Sequence, residues 1–396
     1  MKKNHNKYLL IIIFLISFPQ GGENLKDGIL PMRERAAIRD ALLNDRFKTV
    51  LPKIMQRNNM DMWLIIAREY NEDPVIRTML PATWLNARRR TVLVVFDPGQ
   101  NKPLETYAVA RYDVGEIFKK AWDPEAQPDQ YKALADIIKQ KDPKKIGINI
   151  SEFFAQADGL TATEYDLFKN ALPKKYQKRI VSAEQVAIGW LETRSAKEME
   201  VYPEICRIAH DIIKEGFSAN VVTPGVTTTD DIVWWYRERI RDLNLVTWFH
   251  PSVDIQRDDT QNFDFLEAFS KSKLDNLVRP GDLLHVDFGI TYLSLNTDTQ
   301  QHAYVLMPGE DRVPDELAKA LATGNRLQDI LTDQFETGRT GNEMLLSALK
   351  QAKKEGIKPQ IYTHPIGYYG HGSGPTIGMW DKQEGVPVNG DYPLYP

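Results

Sequence analysis

Asp287 and Asp298 stand eleven residues apart, and His364 and His371 seven apart; these are the residues of the chain best suited to do chemistry. Asp287 comes late in Leu283–Phe288, a mostly apolar run that reads as a strand. A carboxylate in such a strand is costly to bury unless it is paired or coordinates a cation. Gly289 beside it permits a tight bend or a close approach of another backbone. A separation of eleven residues suits the outgoing and returning strands of a hairpin, so that both carboxylates can face one point. With no Lys or Arg close by in either segment, that is the arrangement of a cation site. The spacing leaves a second reading open, in which Asp298 caps the turn together with Asn296 and Thr297.

His364 and His371 lie in Thr363–Pro375, where four of the twelve residues after Thr363 are glycine. Backbone therefore approaches something closely there. Two imidazoles in such a stretch suit a metal ligand plus a group that handles a proton or contacts an oxyanion. A glycine-rich surface loop with incidental histidines is the alternative. Arg88, Arg89 and Arg90 read as a solvated charge run at a strand entrance rather than an anion contact.

The elements that must position these residues fall into two sets. Met32–Gln56 carries apolar residues at helical spacing. Met62–Ile66, Thr91–Phe96, Thr106–Ala110 and Lys145–Ile150 read as strands, and Tyr131–Ile138 as an amphipathic helix. Their alternation predicts an α/β domain with a mixed sheet over residues 30–185. Ser195 and Glu198 form a capping-box pattern opening a helix toward Ala219, with Pro203 inside it. Thr228, followed by Asp230 and Asp231, opens another helix. There Trp234 and Trp235 share helical spacing with Ile232 and Ile240 and are expected in the core. Strands are predicted over Leu283–Phe288 and Thr291–Asn296, and a helix over Pro314–Gln334. A second capping box, Thr340 with Glu343, starts a helix that ends near Gly356. Asp258–Lys273 reads as an inserted loop or short helix rimming the site.

Composition bounds the rest. The chain has 396 residues, 42% hydrophobic and 26% charged, with a formal net charge of -4, enough for two or three domains. That charge gives no basic groove, so nucleic acid is not an expected partner. Met1–Lys7 is positive and Tyr8–Phe18 is a short apolar run, the pattern of a signal peptide over residues 1–22. The mature chain is then expected in the periplasm or outside the cell, without stable membrane association; an uncleaved anchor is the other reading. The lone Cys206 can form no internal disulfide.

Pro280-Gly281-Asp282, then Asp287-Phe288-Gly289, Asp298, His364 and His371 together resemble the pita-bread metallopeptidases. That superfamily includes methionine aminopeptidases, Xaa-Pro aminopeptidases, Xaa-Pro dipeptidases and creatinase. Arg194–Glu200 resembles the opening helix of their catalytic domain, and Val222–Thr227 its next turn. A domain placed before the catalytic one points to the Xaa-Pro and creatinase branch. The fold this resemblance implies is α/β (α+β). A creatinase-like mixed-sheet domain over 30–185 would precede a pita-bread domain over 190–396, with a curved antiparallel sheet flanked by helices. The implied activity is metal-dependent removal of residues next to proline from short peptides, as an aminopeptidase or dipeptidase, by a homodimer. The resemblance also implies two divalent ions, Mn, Co, Zn or Fe. Asp287 would chelate one, Asp298 bridge both, and His364 bind the other, while His371 would contact substrate or the tetrahedral intermediate.

Two departures bear on that expectation. The family has a catalytic histidine before the first aspartate, for which His250 is the nearest match, a little early, with a core or loop histidine as the other reading; His285 lies inside the strand itself. The family also completes its site with two glutamates on strands after the glycine-rich segment, where this chain offers only Glu384 in a loop context. The catalytic domain therefore reads as C-terminally incomplete, and weak metal binding with little activity is expected. A non-catalytic pita-bread binding protein and a creatinase-like metal-free hydrolase are the alternatives; the retained Asp287, Asp298 and His364 oppose the second.

Overall fold

The computed structural model describes residues 25–100, 102–257 and 276–395. The expected leader over 1–22 and the Asp258–Lys273 insertion lie outside them. The first half opens with helices α1 (Met32–Thr49) and α2 (Leu51–Arg57). Next come β1 (Met62–Arg68), α3 (Pro74–Met79), β2 (Arg90–Phe96), β3 (Glu105–Val109) and β4 (Lys119–Lys120). They are followed by α4 (Gln130–Lys141), β5 (Ile146–Ile148), α5 (Ala162–Ala171), α6 (Lys174–Gln177), β6 (Ile180–Ser182) and α7 (Glu184–Glu192). The six strands form one mixed sheet in the order β4-β3-β2-β1-β5-β6. β1 and β2 are apolar along nearly their whole length because both faces of the sheet are covered. Trp63, Ile65, Leu93 and Val95 point to a core shared with α2, α3 and α7. Met62, Leu64, Val92 and Val94 point the other way, onto α4 and α5. The three arginines at the β2 entrance all find partners: Arg88 stacks on Trp84, Arg89 pairs with Glu69 and Arg90 with Glu164.

The second half begins with α8 (Ala196–Gly216), started by a reciprocal capping box between Ser195 and Glu198 and continuing through Pro203. The Glu198 carboxylate also takes a hydrogen bond from buried Arg46 of α1 at 2.7 Å, tying the halves together. Helix α9 (Thr229–Asp242) has its own capping box, Thr228 with Asp231. Its buried stripe is Ile232, Val233, Tyr236 and Ile240. Trp234 falls outside that stripe and is 53% exposed, which corrects its expected place in the core.

Strands β7 (Ser252–Gln256) and β8 (Leu283–Phe288) follow. The expected strand over Thr291–Asn296 is instead two short pieces, β9 (Thr291–Tyr292) and β10 (Leu295–Asn296). They turn through Leu293 and Ser294, both at positive φ, 56° and 67°. The strand returning beside β8 is β11 (Thr299–Tyr304). β11, β8 and β7 form an antiparallel three-stranded sheet. Leu284, Val286 and Phe288 on one face of β8 pack on α8 and α9, leaving the opposite face polar. Two further helices, α10 (Asp315–Thr332) and α11 (Gly341–Lys354), make a separate small core with Ile361 and Ile377. Ile330 is the single buried residue of α10. A two-stranded ladder of β12 (Ile366–Gly367) and β13 (Gly370–His371) forms the glycine-rich segment. Among the described residues no helix is long and apolar enough to cross a membrane.

Candidate metal centre

Register decides which side chains meet. Asp287 pairs with Gln300 and Phe288 with Thr299, so Asp298 is two residues from Asp287's partner and on the same face of the sheet. Gly289 makes this approach workable: a Cβ there would lie 2.6 Å from the Thr297 carbonyl oxygen and 2.6 Å from Trp248 Nε1. Trp248 uses that nitrogen to donate to the Thr297 carbonyl at 2.8 Å, fixing the chain just before Asp298.

The two aspartates are unequally placed. Asp287 Oδ1 is buried with no hydrogen-bond partner among the described residues. Burial first, and the neighbouring Asp298 carboxylate second, push the Asp287 carboxyl up to about 6. Asp298 reaches His364, with Oδ2 3.4 Å from Nε2. On its other side His364 has Nδ1 2.9 Å from the Pro365 carbonyl oxygen, a bond that holds the proton on Nδ1 and turns Nε2 toward the aspartates. Burial acts to lower the His364 pKa, but the Asp298 carboxylate and the Pro365 carbonyl outweigh it and the net shift is upward. His371 packs edge-on against His364, with ring centroids 4.5 Å apart, and against Trp248 at 5.3 Å. Burial and the His364 charge lower its pKa. Gly370, at φ +87°, leaves the space that the Trp248 ring fills, since a Cβ there would collide with it.

Asp287, Asp298, His364 and His371 thus form one run of contacts. His250 stands outside that run: it is exposed, its Nδ1 is 3.0 Å from Arg237 Nη1, and its ring packs on Trp234. Glu384 is exposed in a loop. Sequence reasoning did not name Tyr362, and it gave Asn296 only a place in the turn and His285 only a place inside the strand. Tyr362 lies 5.9 Å from His364, and its phenol is pushed up by burial and then by Asp298 and Asp287. Asn296 donates to the Gly367 and Tyr368 carbonyls at 2.7 and 2.9 Å, joining the hairpin to the glycine-rich segment. His285 shares Asp287's face, with Nε2 3.0 Å from Gln300 Oε1 and its ring 5.0 Å from that of His302. The period-two order Leu283, His285, Asp287 was the available signal for that row.

The donors fit a divalent cation in kind: two carboxylates, one with an orphaned buried oxygen, and an imidazole oriented from behind. In number they fall short of a two-ion centre, offering about five donor atoms at most. Among the described residues no group of three or more His, Cys, Asp or Glu side chains is arranged to hold an ion.

Residues 201–393 match the sequence profile of metallopeptidase family M24. That stretch, just under half of the chain, carries an M24 metallopeptidase domain. The fold agrees along most of the chain. An X-Pro aminopeptidase from Thermotoga maritima MSB8 superposes with a TM-score of 0.53 at 14% identity, covering 85% of this chain and 88% of that one. An Xaa-Pro dipeptidase from Bacillus anthracis gives 0.51 at 13% identity, covering 89% and 86%. A prolidase from Thermococcus sibiricus gives 0.50 at 14% identity, covering 90% and 87%. No curated protein sequence matches. The chain therefore has the two-domain, mixed α/β pita-bread architecture of these peptidases.

Proposed function

We propose that this M24 protein is an exported metallopeptidase that removes residues adjacent to proline from short peptides, as an aminopeptidase or dipeptidase. The observation that carries the reading is the gathering of Asp287, Asp298 and His364 on one side of the β8–β11 pair, with His371 against His364. Asp287, Asp298 and His364 would hold the metal, which when bound would supply an activated water and a polarised scissile carbonyl. The chain's own residues do the rest. His364 is held in orientation by Pro365. His371, with its lowered pKa, stays largely neutral at pH 7 and can donate from one ring nitrogen to a developing oxyanion. Trp248 walls that position and fixes the His371 ring. Export rests on the leader-like Met1–Phe18 pattern, and a homodimer on the family resemblance.

The small donor set makes the same reading specific about strength: this chain holds metal weakly and turns over slowly. The test is elemental analysis of the purified chain together with hydrolysis of Xaa-Pro dipeptides and tripeptides in added Mn, Co, Zn or Fe. Metal-dependent cleavage that falls at least about a hundredfold in Asp298→Ala supports the reading. Metal binding without cleavage of any proline peptide would favour a non-catalytic M24 protein.

A further inference from the structure

Between the two halves lies a cavity of about 60 Å³, walled by α1, α3, the α7–α8 junction, the Leu293–Ser294 turn and Tyr368. On this measure a water needs about 15 Å³, so the space suits a few waters or one small anion. Four guanidiniums, of Arg39, Arg46, Arg77 and Arg194, face it against two carboxylates, of Asp40 and Glu198.

Those charges are unequally committed. Arg46 is used up: it donates to Glu198 at 2.7 Å and to the Thr193 carbonyl at 2.6 Å, and stacks on Trp190. Asp40 accepts from the Ala82 backbone N–H at 2.7 Å. Arg77 makes an ion pair with Glu72 at 3.3 Å. Arg194 gives Nη2 to the carbonyls of Leu191 and Ile366, both at 3.0 Å. Among the described residues, buried Arg39 Nε has no hydrogen-bond partner. A buried guanidinium N–H without an acceptor is unfavourable, and a cavity with surplus positive charge beside it answers that need with an anion. The wall also holds strain, since Leu293 and Ser294 both take left-handed backbone.

We propose that this interdomain cavity binds a small oxyanion, a carboxylate or phosphate group, through Arg39 and Arg77. The site is separate from the metal centre and independent of the peptidase reading. Arg194 and Tyr368 connect it to the back of the segment carrying His364 and His371.

The experiment is calorimetric titration of the full chain, in chelator to keep metal out, with inorganic phosphate and separately with acetate. Arg39→Gln and Arg77→Gln are titrated in parallel, and thermal unfolding in anion-free buffer reports their fold. Binding by the parent chain, weakened about tenfold in both variants, supports the site. A response to phosphate alone identifies a phosphoryl ligand, and a response to acetate alone a carboxylate such as a peptide terminus. No binding of either anion up to roughly 50 mM, or equal binding by both variants and the parent, overturns the proposal.

Discussion

Glu192, the last residue of α7, bears on stability in a way nothing around it announces. Its Oε1 is buried without a hydrogen-bond partner among the described residues, and its Oε2 abuts Gly374, where a Cβ would stand 2.0 Å away. Burial pushes its carboxyl from 4.5 up to about 8, although Arg57 and Arg194 pull the other way. The folded chain therefore holds this proton through a range where the unfolded chain has released it. Between about pH 4.5 and 8 the unfolded state binds fewer protons, so stability falls as pH rises, with the loss complete above about 8. Glu192→Gln keeps the shape and removes the charge. We expect it to unfold at higher temperature at pH 8, by an amount on the order of 2 kcal/mol, and to match the parent near pH 4.5. Melting curves at the two pH values check this. An equal difference at both would mean that the carboxylate is not the cause.

At the scale of elements, the Leu293–Ser294 turn is a two-residue hairpin with both central residues at positive φ, where Gly, Asn and Asp are usual. Leu293 is buried at 4% and has packing to offset the strain, whereas Ser294 is half-buried. Ser294→Gly should stabilise the chain by about 0.5 kcal/mol, read as a shift in denaturant midpoint. This turn also marks where local pattern stopped being informative. The capping boxes at Ser195, Thr228 and Thr340 are short-range chemistry, and each helix starts where its box stands. The alternation in β8 likewise puts Asp287 on the polar face. Nothing local distinguished one strand over 291–296 from a hairpin, because neither Leu293 nor Ser294 is a usual turn residue. Trp234 misled for a related reason: helical spacing assigns a face only once the partner surface is known, and Tyr236 and Val233 took that surface. His250 matched the family pattern by order in the chain, but its packing on α9 depends on contacts the order does not contain.

The whole molecule adds a dependence between halves. Gln156, from the first half, donates from Nε2 to the His371 carbonyl at 2.9 Å and accepts at Oε1 from Ser373 Oγ at 2.8 Å. Tyr369 donates to the Pro74 carbonyl at 2.6 Å, and Tyr392 packs edge-on against Phe154. The segment carrying both site histidines is thus held from across the domain junction. Contacts between residues more than two hundred positions apart leave no trace in periodicity, which is why the aspartates were easier to place from sequence than the surroundings of the histidines.

Helix α10 meets the rest of the molecule mainly near its C-terminal end, through Ile330 and the paired contacts of Arg326 with Glu355. Its first three turns are exposed, and a helix of that length is marginal in water without packing. Local opening there needs little of the free energy that opens the sheets. The lifetime of the chain among proteases is then governed by residues 313–325 rather than by the cores. Among the described residues, limited digestion should nick this stretch first, a cut that falls after both aspartates and before either site histidine.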